Sequence, residues 1–401
     1  MTLVFDQRAN LQGKPGVHAL IAGVSAYRHL PGGTGDPAPK TFGMQQLSST
    51  ALTAYAVYSW LLHRKDHLPL PLASVRLLLS PSPQEMASDA KLNAMSAQVE
   101  RCLRTNFQVQ AVDWRQDANS HPDNVTFFYF AGHGVQRSKD DAVLLMEDFA
   151  DKYGPGTLGN SVAVKNLFFG MATADAFPNI AQTQLYFVDA CRVLPKEFKD
   201  NELMNVPDVF DVELNRPDTR RAPIFYAAVP GTRAYSLKCD QTLFSKALLK
   251  CLNESAAQPQ DDPQGHIQWI VTVNSLNQVL DANFQVLNQT AFAEQDYALG
   301  GNAKNTTIHI LDGPPPVDIL LSIDPQEALP VTAVTVTDDQ LRPVLNLPPP
   351  IIPQPYPQRL PAGLYTVQGE LTAALPGLVP YKRVRQLLPT GGLDWKVRMK
   401  P

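Results

Sequence analysis

The chain has 401 residues, of which 44% are apolar and 18% charged, and its formal net charge is -4. Because this length exceeds what one hydrophobic core usually organises, we expect one large domain and a smaller one. The composition excludes a disordered chain, a collagen-like repeat and the strong basic excess typical of nucleic-acid-binding proteins.

Strand-like and helix-like segments alternate through the first 313 residues. Short apolar runs rich in branched or aromatic residues predict strands at residues 17–24, 75–79, 125–130, 142–146, 185–188 and 224–229. Helical patterns are predicted over residues 42–62, 86–107, 162–171, 243–252 and 273–287. This alternation indicates a three-layer α/β/α fold with a mostly parallel sheet and helices on both faces.

The composition changes near residue 314, because 17 of the 35 prolines lie in the final 88 residues. We therefore divide the chain into a domain of residues 1–313 and a Pro-rich linker with an accessory domain at residues 314–401. The accessory part shows no helical pattern, and strands are predicted at residues 317–323, 331–337, 363–371 and 395–399. We expect a small antiparallel β-sandwich there, with residues 348–361 as a long loop.

Two of the predicted strands end in reactive side chains. The strand 125–130 leads into Ala-Gly-His133-Gly134, and the strand 185–188 leads into Asp189-Ala-Cys191. Reactive groups in α/β folds collect at the carboxyl ends of the strands, so we expect the imidazole and the thiol at one edge of the sheet. A nearby imidazole can activate a thiol, since the thiolate is the nucleophile. A lone cysteine or histidine at such a place is more often a packing or turn residue, but the two together, in this order, favour catalysis.

At this point the chain resembles the caspase/metacaspase-like cysteine proteases, including bacterial caspase-family peptidases. Beyond the dyad, residues 226–236 and the helix-like residues 242–252 are similar to that family's small-subunit strand, substrate loop and helix. The resemblance implies that Cys191 is the nucleophile and that His133 is the general acid and base. It also implies an oxyanion hole formed by the backbone amides of Gly134 and Cys191.

The resemblance also suggests which residues bind substrate. Asp189 stands where caspases that cleave after aspartate have a glutamine, and Ser236 stands where they have an arginine. A pocket with this acid and without the arginine resembles that of the metacaspases, so we expect cleavage after arginine or lysine. The alternative is a structural role, in which Asp189 accepts hydrogen bonds from loop amides near Cys191. Tyr235 is a candidate wall of the next subsite, the alternative being a core residue.

Family members are often cut in the loop that follows the nucleophile. The corresponding stretch here, residues 195–221, is polar and acidic and contains the candidate processing sites Arg216, Arg220 and Arg221. An exposed loop that is never cut is the equal alternative.

The sequence gives no reason to expect a metal or another cofactor. Asp140, Asp141, Glu147, Asp148 and Asp151 follow no EF-hand spacing, so we read them as a solvated loop, and the histidines form no spaced zinc-ligand set. The chain has no long apolar run, no secretory signal pattern and four cysteines without CxxC spacing. We expect a cytoplasmic, reduced protein that binds neither membrane nor nucleic acid.

The accessory domain resembles the immunoglobulin-like modules appended to bacterial enzymes, and we read it as a regulatory or partner-binding module. The preferred function is a cysteine endopeptidase that cuts a protein substrate. By analogy with the family, it would activate an effector in bacterial immunity or regulated cell death. The alternatives are a catalytically silent caspase-like scaffold and an adaptor that acts through the accessory domain.

Overall fold

The computed structural model describes residues 2–138, 141–193, 205–213, 215–235, 238–390 and 393–400. The strands within these ranges are β1 Leu3–Asp6, β2 Val17–Val24, β3 Leu72–Ser80, β4 Val125–Gly132, β5 Gly134–Ser138, β6 Asp141–Leu145, β7 Ser161–Ala163, β8 Thr183–Ala190, β9 Ala222–Tyr226, β10 Ala257–Asp261, β11 Ile267–Thr272, β12 Ala298–Asn302, β13 Thr307–Leu311, β14 Pro316–Asp324, β15 Thr332–Thr337, β16 Pro343–Leu347, β17 Tyr356–Pro361, β18 Gly363–Leu371, β19 Tyr381–Leu387 and β20 Leu393–Arg398.

The helices in the same ranges are fewer. They are α1 Arg8–Leu11, α2 Thr50–His63, α3 Pro83–Ser88, α4 Ala90–Ser96, α5 Arg104–Ala118, α6 Val164–Gly170, α7 Leu243–Lys250 and α8 Val273–Ala291. Short 3₁₀ turns occur at Lys65–His67 and Gln326–Val331, and one π-helical turn follows α7 at Cys251–Ser255.

The chain forms two compact units, of which the first comprises Met1–Leu249 and Leu280–Ile308. A seven-stranded sheet in the order β1-β3-β2-β4-β8-β9-β12 forms the centre of this first unit. The five inner strands are parallel, and β1 and β12 are antiparallel edges. Every residue of β2 and β4 is buried, as the unbroken apolar runs of a sheet covered on both faces require. The predicted mostly parallel sheet is confirmed.

Aromatic side chains show that helices cover both faces of this sheet. On one face Trp114 of α5 contacts Phe128 and Tyr186, with ring centroids 6.0 and 6.4 Å away. On the other face Trp60 of α2 lies 6.5 Å from Phe127. Because neighbouring residues of a strand point to opposite faces, Phe127 and Phe128 divide between the two layers. The three-layer α/β/α architecture is therefore confirmed.

Two predicted helices have different bounds in the structure. The helix expected over residues 42–62 begins only at Thr50, because Phe42 and Gly43 have φ values of 54° and 72°, which an α-helix does not accommodate. The helix expected over residues 86–107 is divided into α3, α4 and α5. Asp89 is extended between the first two and caps α4 by accepting hydrogen bonds from the next turn.

The second compact unit comprises Lys250–Val279 and His309–Pro401. Two of its sheets, in the orders β16-β15-β18-β19 and β17-β14-β20, pack face to face, with Tyr365 and Trp395 5.9 Å apart. This is the expected sandwich, although β14 and β20 pair in parallel and not antiparallel. A third sheet, in the order β10-β11-β13, includes two strands from residues 257–272, which precede the predicted boundary in the chain. The predicted boundary at residue 314 thus falls inside this unit, and an independent domain at 314–401 stays a prediction.

Three strands of the accessory region have no counterpart in the sequence-based prediction, namely β16, β17 and β19. β17 lies within the expected Pro-rich loop and pairs along one edge only, with β14. An edge strand tolerates Pro357 and Pro361, whose missing N–H groups would interrupt a central strand. In the part of the chain that the structure describes, we find no helix with the length and apolar character needed to cross a membrane.

Candidate active site

The structure brings His133 and Cys191 to neighbouring strand ends. β4 and β8 are adjacent and parallel, with Gly132 opposite Ala190 at their last paired position. His133 and Cys191 are the next residue of each strand, so they leave the sheet side by side at its carboxyl edge. Adjacent strands lie about 4.8 Å apart, so the two side chains start from neighbouring backbone positions. The register of β4 and β8 therefore brings the two strand ends next to each other, as the sequence predicts.

The His133 ring is held by a loop that precedes α2. Its Nε2 lies 2.7 Å from the carbonyl oxygen of Gln45. A carbonyl only accepts hydrogen bonds, so Nε2 carries the proton, and Nδ1 of the neutral ring has the free lone pair. Burial lowers the pKa of His133 from its ordinary value, and the Gln45 carbonyl partly opposes that shift. The imidazole is therefore neutral and basic at Nδ1 at neutral pH.

Tyr27 supports the same imidazole from a second direction. Its hydroxyl accepts a hydrogen bond from the His133 backbone N–H at 2.7 Å, and the two ring centroids are 4.9 Å apart. The Gln46 amide in turn clamps Tyr27, since Tyr27 N donates to Gln46 Oε1 at 2.7 Å and Gln46 Nε2 donates to Tyr27 O at 2.8 Å. The loop that carries the Gln45 carbonyl is thus fixed beside His133.

Cys191 is a partly buried free thiol whose contacts are with the chain after β9. Its Sγ accepts from Ala234 N at 3.3 Å and lies 3.7 Å from Ala234 O. Burial raises the pKa of the thiol, and the Ala234 amide partly opposes the rise. Among the described contacts no hydrogen bond joins Sγ to the imidazole, so this conformation holds a neutral thiol beside a neutral ring.

The backbone amide of Gly134 faces the chain segment that follows β8 and contains Cys191. Leu145 N donates to His133 O at 3.0 Å, so these two residues form a hydrogen-bonded pair. The pairs of an antiparallel ladder alternate, so the next opposing residues of β5 and β6, Gly134 and Leu144, form a non-hydrogen-bonded pair whose N–H groups point away from the partner strand. The Gly134 N–H therefore points to the same side as Gln136 N, which donates to Val193 O at 2.9 Å. This is the side on which Cys191 lies.

Only glycine fits at position 134. A Cβ atom there would lie 2.7 Å from Cys191 O and 2.8 Å from the Ala190 side chain. The close approach brings residue 134 beside the backbone of Cys191.

Asp189 lies below this edge and points into the sheet's core. Its side chain is 1% exposed and accepts hydrogen bonds at Oδ2 from the Tyr129 hydroxyl at 2.8 Å and from the Thr242 hydroxyl. Its Oδ1 is buried and has no partner among the described residues. Burial raises the pKa of Asp189 to about 6, with the two hydroxyl donors opposing the rise. The alternative role of holding loop amides is not what these contacts show.

The other predicted subsite residues are only partly described. Tyr235 is 39% exposed, and its N–H donates to Gln295 Oε1 at 2.8 Å. It is therefore not the core residue of the alternative interpretation. Ser236 lies outside the described residues.

The three candidate processing sites differ in accessibility. Arg216 is exposed and pairs with Asp175 at 2.7 Å. Arg220 is fully buried, and its guanidinium bonds Asp218, Gln184 Oε1 and the carbonyl of Phe168. A buried arginine with all of these partners does not offer a cleavable bond, so the expectation for Arg220 needs correction. The Arg221 N–H is engaged by Gln182 O at 2.8 Å.

Two of the acidic residues after His133 pair with arginines, whereas Asp148 and Asp151 accept hydrogen bonds from the backbone N–H groups of Arg104 and Tyr153. Glu147 is buried and bonds Arg28, Arg101 and the Ser80 hydroxyl, and Asp141 pairs with Arg137. Asp140 lies outside the described residues. Within the described ranges no group of three or more His, Cys, Asp or Glu side chains is placed to hold a metal ion.

Sequence reasoning missed several residues that shape the site. Gln45 and Ala234 act through backbone atoms, which no side-chain pattern reveals. Tyr27 and Gln46 lie far from His133 in the chain, and only the fold brings them together. The helical pattern that follows Thr242 predicts a helix but gives no indication of the hydroxyl bound to Asp189.

Comparison with known proteins gives a family match and structural likenesses to solved proteins. The family model described as a caspase domain matches residues 91–283, slightly less than half of the chain, and this range includes both His133 and Cys191. The crystal structure of caspase-1 from Spodoptera frugiperda is similar over 78% of this chain and 97% of that chain, with 12% sequence identity and a TM-score of 0.41. No curated protein matches the chain. The family match confirms the resemblance and the caspase-like fold expected from the sequence.

Proposed function

We propose that this chain, a caspase-like protein with its caspase domain in residues 91–283, is a cysteine endopeptidase with Cys191 as nucleophile and His133 as acid and base. The observation that carries the proposal is the register of β4 and β8, which sets the two residues directly after an opposed pair. Partly exposed side chains at the carboxyl edge of a parallel sheet are accessible to a substrate chain.

The geometry supports a general-base mechanism from a neutral pair. Nδ1 of His133 takes the thiol proton as Cys191 Sγ attacks the scissile carbonyl, and the C–S bond forms. The oxyanion is stabilised by the amides of Gly134 and Cys191. The imidazolium then protonates the leaving amine as the peptide C–N bond breaks. Water, deprotonated by the same ring, hydrolyses the acyl-enzyme and restores the thiol.

The carbonyl of Gln45 determines which ring nitrogen of His133 transfers the proton. A hydrogen bond from Nε2–H keeps the ring in one tautomer, so the proton moves only through Nδ1. The same bond stabilises the imidazolium formed after attack. The Ala234 amide, 3.3 Å from Sγ, supplies a donor to the thiolate.

We place basic residues at P1 because of Asp189. Its unpartnered Oδ1 leaves a buried carboxylate without a counter-charge in the described chain. An arginine or lysine side chain would supply that charge and lower the pKa of Asp189, whereas an acidic side chain would be repelled. Tyr235, exposed after β9, would line the adjacent subsite.

We also propose that Arg216 is the site at which the chain processes itself. It is exposed, whereas Arg220 is buried. None of the four cysteines forms a disulfide, which fits the reducing cytoplasm. Activation of an effector in bacterial immunity or cell death is the role that the family resemblance suggests.

Peptide cleavage tests the proposal. Fluorogenic tetrapeptides that differ only at P1 (Arg, Lys, Leu or Asp) are assayed with the full chain and with Cys191→Ala. Cys239→Ala is the matched control, since Cys239 is also a free, partly buried cysteine. We expect Arg and Lys turnover that Cys191→Ala abolishes and Cys239→Ala retains. No turnover of any peptide would favour the silent scaffold, and equal turnover at P1 Leu would refute the role of Asp189.

A further inference from the structure

A dense group of cations lies on two strands of the second unit that follow each other in the chain but belong to different sheets. β19 is the last strand of the four-stranded sheet, and β20 is the last strand of the three-stranded sheet. Each pairs along one edge, β19 with β18 and β20 with β14. The other edge of each strand has no strand partner in the described part of the chain. Such an edge presents N–H and C=O groups to an incoming extended segment.

The two edges border a cleft of about 790 Å³. Its end is closed by a hydrogen bond from Val379 N to Met399 O at 2.7 Å. The cleft is lined by six cations, Lys382, Arg383, Arg385, Lys396, Arg398 and Lys400. Asp394 is the single acid of the described lining.

These cations have few internal partners. Arg385 donates to the Tyr381 hydroxyl at 3.0 Å, and none of the six forms an ion pair with a described carboxylate. By contrast, the other two arginines after residue 314 are paired, Arg342 with Asp338 and Arg359 with Glu254. The positive charge of the cleft is therefore available to an anionic ligand, which would relieve the repulsion among these cations.

The shape and the lining favour an acidic peptide over a nucleic acid. Val384, in the middle of the free β19 edge, is 63% exposed and offers an apolar contact for a side chain of an added strand. Tyr381 is the one aromatic residue of the described lining, and Arg385 holds its hydroxyl. The cleft thus lacks the series of stacking surfaces used by proteins that bind single-stranded nucleic acid.

We propose that this cleft binds an extended acidic segment of a partner protein, which adds as a strand to the free edge of β19 while its carboxylates pair with the cations of β19 and β20. Main-chain hydrogen bonds would supply affinity, and the alternating carboxylates would supply specificity. The proposal uses none of the residues of the peptidase site and does not depend on its activity.

Fluorescence polarisation with the full-length protein tests it. The probes are a labelled ten-residue peptide of alternating Glu and Thr, a peptide of equal charge with Pro in place of each Thr, and a ten-nucleotide oligothymidylate. The variant Arg383→Glu/Arg398→Glu is compared with Arg342→Glu/Arg359→Glu, which changes the charge equally outside the cleft, and circular dichroism verifies that both are folded.

We expect the Glu-Thr peptide to bind with an affinity that falls at least tenfold in the cleft variant and less than threefold in the control. The Glu-Pro peptide should bind at least fivefold more weakly, because proline cannot donate to a strand edge. Equal binding of the two peptides would overturn strand addition. Tighter binding of the oligothymidylate, or equal losses in both variants, would overturn the acidic-peptide site.

Discussion

The Tyr27 hydroxyl accepts a hydrogen bond from the backbone N–H of His133, and its ring packs on the imidazole with the centroids 4.9 Å apart. Tyr27 comes from the segment after β2, the strand next to β4 in the sheet. A buried side chain from one strand end therefore holds His133 at the end of the next strand. This contact makes Tyr27 a positioning residue of the proposed site.

Replacement of Tyr27 by Phe should lower kcat about tenfold, because the backbone N–H of His133 loses its hydrogen-bond acceptor and the residue is held less firmly, while the ring packing on the imidazole remains. The lost buried hydrogen bond should also cost about 1–2 kcal/mol of unfolding free energy. Tyr186→Phe is the matched control, since Tyr186 is equally buried and its hydroxyl bonds Gln184. It should lose similar stability and keep its kcat. Equal kcat losses in the two variants would contradict a positioning role.

The rate should depend on pH through the imidazole. Burial lowers the pKa of His133, so the basic neutral form persists at pH values below the ordinary histidine range. We expect the acidic limb of kcat/KM to lie below about pH 6.5, the ordinary histidine value. A limb at about pH 6.5 would mean that the ring is solvated during turnover, and a limb above that value would mean that it is paired with an anion.

Gln46→Ala should move that limb. Loss of the clamp on Tyr27 frees the loop that carries the Gln45 carbonyl, and that carbonyl raises the pKa of His133. The acidic limb should shift to lower pH and kcat should fall about three- to tenfold, as measured by full pH profiles. If the acidic limb is unchanged and only the midpoint of thermal unfolding falls, Gln46 has a structural role only.

Asp189→Asn should stabilise the fold at neutral pH. The raised pKa, about 6 against 3.8, means that the folded protein binds a proton more tightly than the unfolded chain between these pH values. Stability from this group is present below about pH 4 and is lost as the pH rises to about 6. We expect the Asp189→Asn variant to gain about 3 kcal/mol of unfolding free energy by urea denaturation at about pH 7.5 and little at about pH 4.

The exposed Asp123, 79% accessible, supplies the control Asp123→Asn, which should leave both stabilities unchanged. If Asp189→Asn gains the same free energy of unfolding at both pH values, the ionised carboxylate is not the source of that gain. The same variant should lose most of its turnover of P1 Arg peptides, measured as kcat/KM.

Gly134→Ala should abolish peptide turnover, because the new methyl would lie 2.7 Å from Cys191 O and would displace the nucleophile backbone. Gly313→Ala is the control, since an added Cβ meets nothing within 4 Å there. Thiol labelling with iodoacetamide separates the effects of a misfolded chain from those of a misplaced amide. Full activity of Gly134→Ala would contradict the close approach between residue 134 and the Cys191 backbone on which this prediction depends.

The strand ends were predictable because they depend on local chemistry. An unbroken apolar run followed by Gly-His-Gly or Asp-Ala-Cys identifies a buried strand and its exit, and β4 and β8 were found in this way. The sheet register then follows from the parallel topology. The same local reasoning found both catalytic candidates.

Other features depend on distant parts of the chain and were not predictable. Phe42 could belong to α2 by composition, yet its positive φ keeps it outside the helix. Arg220 lies in a polar stretch but is buried because Gln184 and the Phe168 carbonyl satisfy its guanidinium. The environment of Asp189 depends on Tyr129 and Thr242, sixty and fifty-three positions away.

The most direct test of the central claim is mass-spectrometric trapping of the nucleophile. The full chain and the His133→Ala variant are incubated with a peptidyl acyloxymethyl ketone that carries arginine at P1, and the modified residue and its rate are determined. We predict a single thioether at Cys191 that forms at least about one hundredfold more slowly in His133→Ala. Modification at another cysteine, or equal rates in the two proteins, would contradict a peptidase built on this pair.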